Sequence, residues 1–540
     1  MRDETVEALT PKSDLKPANE NPWYVLMTLE GEQEGEEIDE ELHKRNVKLW
    51  NLYSQVVSGT SAVERTRKHG LVFEAGGTPG VVTRQIEERF QEQWEKRNGP
   101  DAPAQTIPRP HDQVDLSGTD FVKLFSANNF YFHSDLNLKG SKFQNDALFI
   151  KCGFAKKVDL SGTEVAGSAH FADSCFTSDF LAEAFKVDGR LVLNDVAVDG
   201  DLDLKKVSVT GSSLLEKLKV KGCAVFNQGS FVQTCIFDGG EFTDSASFDF
   251  TVFNGKTDFK QVTFGGPASF VWTRFGADTS FASSTFEKDV TFRISTFIKR
   301  ADFPNVQFKG ITDFAESKFH TPGTISIAGV RFTDAIFSKS ASFRGTLFSR
   351  SYPEFTNTDL YPVTDFTADA AHWPKGMTTP AKEARESCGI IRNLLAKKGL
   401  TEDQHFFFRR EMYFASRHEE PLRRLPYQVY RYFSDYGHSI ARPVIGLTII
   451  WAFGFACFWG YLASCCVPSP TEIIDHPMGT AMALSFSNLF PLFGFGRTFL
   501  SEVLNDLPTS LSVLSGVQTI FSLPLLFFLG LGLRQRFRLR

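Results

Sequence analysis

Residues 246–275 read ASFDFTVFNGKTDFKQVTFGGPASFVWTRF, and in them Phe248, Phe253, Phe259, Phe264, Phe270 and Phe275 recur at alternating spacings of five and six. An α-helix would space its apolar residues by three and four, and a plain strand would alternate by two. Neither rule fits. Followed outward, the rhythm resolves into two tracks that each step by eleven. One runs from Leu116 through Phe149, Phe171, Phe226, Phe248, Phe270 and Phe314 to Ile325. The other runs from Phe121 through Phe154, Phe231, Phe253, Phe275 and Phe319 to Val330. Each track has twenty positions, all forty are apolar, and 25 of the chain's 55 Phe lie on them. A period this short and persistent marks a solenoid.

The positions two before each centre are small or β-branched: Ala246, Thr257, Ala268, Thr279 and Ala301 on one track, Thr251, Val262, Thr273, Ser284 and Ser295 on the other. Residues i−2 and i point the same way in an extended chain. Each unit is therefore expected to be a mini-strand with one small and one large inward residue, then a corner such as Asn254-Gly255-Lys256. Four units would close one square coil of 22 residues. Residues 116–330 would make about ten coils, a rod about 50 Å long at about 4.8 Å per coil. The register slips near 325–332 and between Phe348 and Phe355, and the pattern continues through Phe337, Phe343, Phe348, Phe355, Leu360 and Phe366.

Ala268-Ser269-Phe270 and Ala301-Asp302-Phe303 fit the motif of a small residue, a polar residue, then Leu or Phe. This resembles the pentapeptide-repeat family, and the resemblance implies a mainly β fold, a right-handed quadrilateral β-helix. The chain departs from the family by adding one residue in every second unit. Some members mimic DNA and inhibit topoisomerases, which needs a strongly acidic face. Residues 112–330 carry 27 Asp and Glu against 22 Lys and Arg. That balance disfavours DNA mimicry, and nothing in the rod is basic enough for nucleic-acid binding.

The whole chain has 540 residues and a net charge of −6, with eight scattered Cys and eleven His. Cys152 and Cys235 occupy small inward positions of the repeat and read as core. No CxxC occurs, so no metal is expected. No nucleophile, acid pair or phosphate loop stands out, so neither catalytic residues nor a cofactor are expected and the chain does not read as an enzyme. Residues 1–22 are polar and charged, without the look of a signal peptide, which suggests that the amino-terminal part stays in the cytoplasm.

After Arg442 the composition changes. Residues 444–467 and 511–533 are uncharged stretches of 24 and 23 residues, each long enough to cross a bilayer at about 20 residues per crossing. A third uncharged stretch, 478–496, lies between them. Arg409, Arg410, Arg417, Arg423, Arg424, Arg431 and Arg442 precede the first span, and Arg534, Arg536, Arg538 and Arg540 follow the last. The positive-inside rule puts both flanks, and hence both termini, in the cytoplasm. The number of crossings is then even, and segment 478–497 is expected to re-enter. Pro491, Gly494 and Gly496 also make it a poor continuous helix.

Span, re-entrant segment, span is the plan of simple two-span ion channels. Gly494-Phe495-Gly496 looks like the Gly-Tyr/Phe-Gly filter of potassium channels, where backbone carbonyls replace ion hydration. Leu492, Phe493 and Arg497 depart from that filter, and an Arg at the mouth suits anions better. Ser485, Ser487, Asn488, Gly494, Phe495, Gly496, Arg497, Gln518 and Ser522 are the pore or filter candidates. The alternative for the loop is an amphipathic segment lying at the interface. For Gln518 and Ser522 the alternative is hydrogen bonding between helices, and for Pro524 a packing irregularity rather than a gating kink. Cys465-Cys466 at the outer end of the first span reads either as an oxidisable pair or as lipid-facing thiols.

Pro380 to Lys398 reads as an amphipathic helix, Thr401 opens a second running to about Arg417, and Pro426 to Tyr436 reads as a third lying along the membrane. Helical stretches are also expected near Glu36–Ser58 and Val82–Arg97. The domains are then a mixed, partly helical region 1–111, a Phe-rich β-helix 112–372, a helical adaptor 378–441 and a two-span membrane domain 442–540. Asn21-Pro22-Trp23-Tyr24-Val25-Leu26, Leu49-Trp50-Asn51, Phe433-Ser434-Asp435-Tyr436-Gly437 and Arg536-Phe537-Arg538 resemble a group of bacterial membrane-anchored pentapeptide-repeat proteins. That resemblance implies an inner-membrane location. Two functions are consistent with this layout. One is a homo-oligomeric channel, a tetramer or pentamer, whose β-helix senses or binds a partner. The other is a membrane-tethered interaction scaffold. The expected partners are membrane lipid, further copies of the chain and a cytoplasmic protein on the β-helix.

Overall fold

The computed structural model describes residues 15–35, 37–58, 79–319, 329–374, 380–464, 476–505 and 507–537. It divides into two compact units, Met1–Glu383 and Ala384–Arg540.

The first unit is a parallel β-solenoid of about 11 coils, with four sheets of 12, 12, 10 and 10 strands. Nearly every strand is two residues long and pairs with the strand 22 residues on, as in Phe231↔Phe253↔Phe275↔Phe297↔Phe319. The expected coil length and four-sided section are borne out. Phe248, Phe270, Phe292 and Phe314 stack face to face at 4.8 Å. Phe259 meets Phe248 edge-on at 5.4 Å and 85°. Stacked columns that meet edge-to-face satisfy the ring quadrupoles in both directions. The small inward residues are buried too, and several of their hydroxyls bond backbone carbonyls: Thr251 and Thr273 donate to those of Phe226 and Phe248 at 2.8 Å.

The two spacings correspond to two kinds of corner. After each centre of the first track a turn closes, as where Thr251 N donates to Phe248 O. Its third residue is left-handed, once in every eleven residues from Gly118 to Glu316. A type II turn demands this. The six-residue corner has no such residue but brings coils together: a Cβ on Gly255 would stand 2.2 Å from the carbonyl carbon of Gln233. Both expected slips are present. Asp302 pairs with Arg331 and Thr312 with Ala341, 29 residues apart rather than 22. Farther on, Ser342 pairs with Asp365, 23 apart. Ile325 lies outside the described residues.

The amino-terminal region caps the solenoid. Helices α1 (Pro22–Met27), α2 (Glu40–Ser58) and α3 (Pro79–Asn98) precede it, and Lys16–Pro17 adds a strand beside Thr119–Asp120. Trp50 Nε1 donates to Tyr131 O at 3.0 Å, and Asn51 bonds Asn129 O and Tyr131 N, each at 3.0 Å. Open sheet edges are thereby paired and the end of the Phe stack covered. At the other end Trp373 stacks on Phe348 at 4.9 Å.

The second unit contains α4 (Ala381–Lys397, most of which falls here), α5 (Thr401–His418), α6 (Pro421–Ser434), α7 (Ala441–Leu462), α8 (Pro477–Leu489), α9 (Phe495–Phe499), α10 (Ser501–Asn505) and α11 (Thr509–Phe537). Helix α6 starts five residues before the expected Pro426, because Pro421 already takes the first-turn position that favours proline. Helices α7 and α11 are long and apolar enough to cross a membrane. Segment 478–497 is less of a loop than expected. Its first part is the 13-residue helix α8, about 20 Å long and too short to cross. The chain breaks at Phe490–Gly494, where Pro491 and the left-handed Gly494 stand.

Candidate functional site

Helix α8 packs against both long helices. Phe458 and Leu462 of α7 meet Ala481 and Leu484 of α8 in one cluster, and Leu447, Leu489 and Leu525 form a second. Between these apolar layers lies a polar node. The side-chain amide of Gln518 on α11 donates to Ile450 O of α7 at 2.9 Å and to Ser485 Oγ of α8 at 3.0 Å, and accepts from Asn488 Nδ2 at 2.9 Å. Asn488 Oδ1 in turn accepts from Ser515 Oγ at 2.9 Å. Ser485 Oγ donates to Trp451 O at 2.8 Å. Ser522 Oγ donates to Thr519 O at 2.9 Å and approaches Asn488 O at 3.4 Å. Gln518 is 2 % exposed and Ser485 and Ser522 are fully buried. Each of these bonds is made inside one chain, most of them between the packed helices.

Residues 251–296 match the family model for pentapeptide repeats (9 copies). The matched segment contains the most regular part of the Phe ladder. No curated protein and no solved structure matches the chain. The pentapeptide-repeat likeness accounts for the solenoid and does not extend to the polar node.

Of the candidate residues, the structure brings Ser485, Asn488, Gln518 and Ser522 together. Ser487 stands apart and donates to Leu484 O of its own helix at 2.8 Å. Gly494 and Phe495 are not part of the node. The filter-like tripeptide runs into a helix rather than an extended strand, and Gly494 O accepts from Thr498 N at 3.1 Å. The Gly494 carbonyl is thus engaged within the chain. The side chains of Gly496 and Arg497, and Cys465-Cys466 as a whole, lie outside the described residues. Phe493 and Phe495 are exposed.

Four contributors escaped sequence reasoning: Ser515, the carbonyls of Ile450 and Trp451, and above all Gly454. A Cβ on Gly454 would stand 1.8 Å from Gln518 Nε2 and 2.7 Å from Ser485 Oγ. A glycine in an apolar helix is a signal for close approach, but its partner is not visible in sequence. The inward Cys152 and Cys235 are buried among the solenoid side chains, and burial pushes both thiols well above their ordinary range. That is the behaviour of inert core cysteines. Elsewhere, the first unit carries a cleft of about 1110 Å³ between α1–α3 and residues 105–113, lined by Trp23, Tyr53, Glu87, Arg109 and His111. Burial and Glu87 push the Tyr53 hydroxyl up to about 12.

Proposed function

We propose that this chain is a membrane-anchored interaction scaffold: a pentapeptide-repeat solenoid tethered by two membrane-spanning helices, without catalysis and without conductance. The observation that carries this reading is the node. Gln518, Asn488, Ser485 and Ser522 face one another, while the outer surfaces of α7 and α11 present Ile445, Ile449, Phe453, Ile520, Phe521 and Phe527. Side chains bonded to one another lock helices together, and an apolar exterior suits lipid. The Arg-rich flanks support, by the positive-inside rule, termini on the cytoplasmic side of a bacterial inner membrane, and in this reading the solenoid meets a cytoplasmic protein partner.

The solenoid's exposed residues supply a partner surface. Phe250 and Trp272 stack on each other at 6.3 Å on one corner, and both are more than half exposed. The deciding measurement is conductance of the full-length protein in planar bilayers, with insertion checked by flotation. Silence with verified insertion is the expected result, and unitary currents altered by Gln518→Leu would overturn it.

A second reading, a homo-oligomeric channel, is favoured by one observation. Met478, Met482 and Phe486 form an exposed stripe down the short helix α8, at spacings of four. Assembled as a tetramer or pentamer, copies would bring this stripe and the Gly494 break to a common axis. A monomer in detergent and in vesicles would sink that reading.

A further inference from the structure

The second unit holds a pocket of about 320 Å³ at the point where both membrane-spanning helices leave the apolar layer. Three elements form it. Helix α5 supplies Glu402 and His405 from its first turns, the link between α6 and α7 supplies Gly437 and His438, and the last turns of α11 supply Gln535 and Arg536. The link lies against the end of α11 closely enough that a Cβ on Gly437 would stand 2.8 Å from Gln535 Oε1. Gly437 is left-handed, at φ 83°.

The depth of the pocket follows from its neighbours. His438 is three residues before α7 begins at Ala441, and Arg536 is three residues beyond Leu533, the last residue of the uncharged stretch. Helix α6 presents Leu422, Leu425 and Tyr432 outward, at 88 %, 61 % and 76 % exposure, with Arg423, Arg424 and Arg431 on the same helix. Apolar residues interleaved with arginine suit the boundary between headgroups and acyl chains. The pocket sits at that level if the anchoring proposed above holds, and the inference of a lipid source rests on that reading.

The donors at the lining and the guanidinium groups beside it favour an anion. Arg536 forms no ion pair among the described residues, although Glu402 lines the same pocket. Arg409, one turn after His405, reaches Asp435 through Nη1 at 3.1 Å, while its Nε is buried without a partner. Asp435 is also approached by Arg442 at 3.9 Å, so two guanidinium groups share one carboxylate. Burial, with His438 and Arg409 adding to it, holds His405 below its ordinary value. Near neutral pH His405 therefore offers a neutral N–H donor. Guanidinium and imidazole N–H groups together are the donors that a phosphate oxygen set accepts.

We propose that this pocket binds a phosphate group, supplied by an anionic phospholipid headgroup or by free phosphate, through Arg536, His405 and His438. The test uses the full-length protein in a neutral detergent. It is titrated with dioctanoyl phosphatidylglycerol, followed by native mass spectrometry, and separately with inorganic phosphate, followed by calorimetry. Saturable one-to-one binding is expected, weakened about tenfold in Arg536→Gln and in His438→Ala, the loss of one charge-assisted hydrogen bond. Arg534→Gln, at the same helix end but outside the lining, is expected to bind as the parent does. Tighter binding of the lipid assigns a headgroup, and tighter binding of phosphate assigns a soluble anion. No saturable binding of either probe, or equal binding by parent, His405→Ala and Arg536→Gln with unchanged Tm, overturns the site. Flotation with phosphatidylcholine vesicles separates the two readings. A protein that floats but whose pocket variants bind like the parent loses the site and keeps the anchor. One that does not float loses the anchor and the lipid source, and the phosphate titration then decides the site.

Discussion

Gly454 stands where the amide of Gln518 crosses from α11 to the backbone of α7, and a single added carbon would lie 1.8 Å from its nitrogen. The contact is with a side chain held by three hydrogen bonds, so it cannot swing aside without breaking them. Gly454→Ala is expected to destabilise the membrane unit by about 1–3 kcal/mol, the usual range for overpacking. Combining it with Gln518→Ala should recover part of that loss, because the colliding group is gone. Thermal unfolding in detergent of the two single variants and the double variant measures the coupling; strict additivity would contradict the contact.

Gln518→Leu keeps the volume but leaves Asn488 Nδ2 and the Ile450 carbonyl without their partner. Interhelical hydrogen bonds in membranes contribute about 0.6 kcal/mol on average and up to about 1.7. A loss near the upper end is expected because several bonds go together. Tm should fall, while membrane insertion, measured by flotation, should not change.

In the solenoid, Phe270 is fully buried, stacked on Phe248 and Phe292 and edge-on to Phe259 and Phe281. Phe270→Ala is expected to cost about 3–5 kcal/mol. Phe250→Ala, at an exposed corner, should stay within about 0.5 kcal/mol. Amide exchange should show the Phe270 loss concentrated in neighbouring coils, since each coil touches only the next.

Ile294 adopts φ 59° at its corner, a left-handed conformation that costs a β-branched residue about 1–2 kcal/mol. Ile294→Gly removes that strain but loosens the unfolded chain, so a net gain of about 1 kcal/mol or less is expected. Thermal unfolding of the full chain checks the sign, and a fall in Tm would mean that the side chain contributes more through packing than the turn loses through strain.

His43 in the cap bonds Asn128 O through Nε2 at 2.9 Å, and burial lowers its pKa below the ordinary 6.5. The folded state therefore takes up a proton less readily than the unfolded one. Stability is full above pH 6.5 and declines as pH falls through 6.5 toward the lowered folded value. His43→Gln, which retains a donor but does not titrate, should flatten the acid side of the stability curve for α2. Exchange of α2 amides at pH 7 and pH 5.5 compares the two, and an unchanged slope in the variant would rule His43 out as the titrating group.

Much of the solenoid was legible in order. Forty apolar positions in register determine which side chains point inward, because in an extended chain i and i−2 share a face. The coil of 22, the four sides and both slips followed from counting residues between Phe side chains. The left-handed corners were not read, because Asp, Lys, Gln and Trp occupy many of them and do not announce φ. Helices α2 to α5 were found within a few residues, the early start of α6 was missed because two prolines competed for one helix start, and the short α1 was not read.

The membrane region divides differently. Composition alone determined two stretches long and apolar enough to cross a bilayer, since length and charge are local properties, but it read the segment between them as re-entrant and missed helix α8. Only the tertiary structure decided that Gln518, Asn488 and Ser485 face each other, that Gly454 makes room for them, and that His405, His438 and Arg536 share one pocket. The contacts among these that join different helices span 30 to 131 residues, as in Asn488 with Gln518 and His405 with Arg536. No periodicity links helices across a sequence gap: their rotation and depth are set by packing, and packing is a property of the folded chain as a whole.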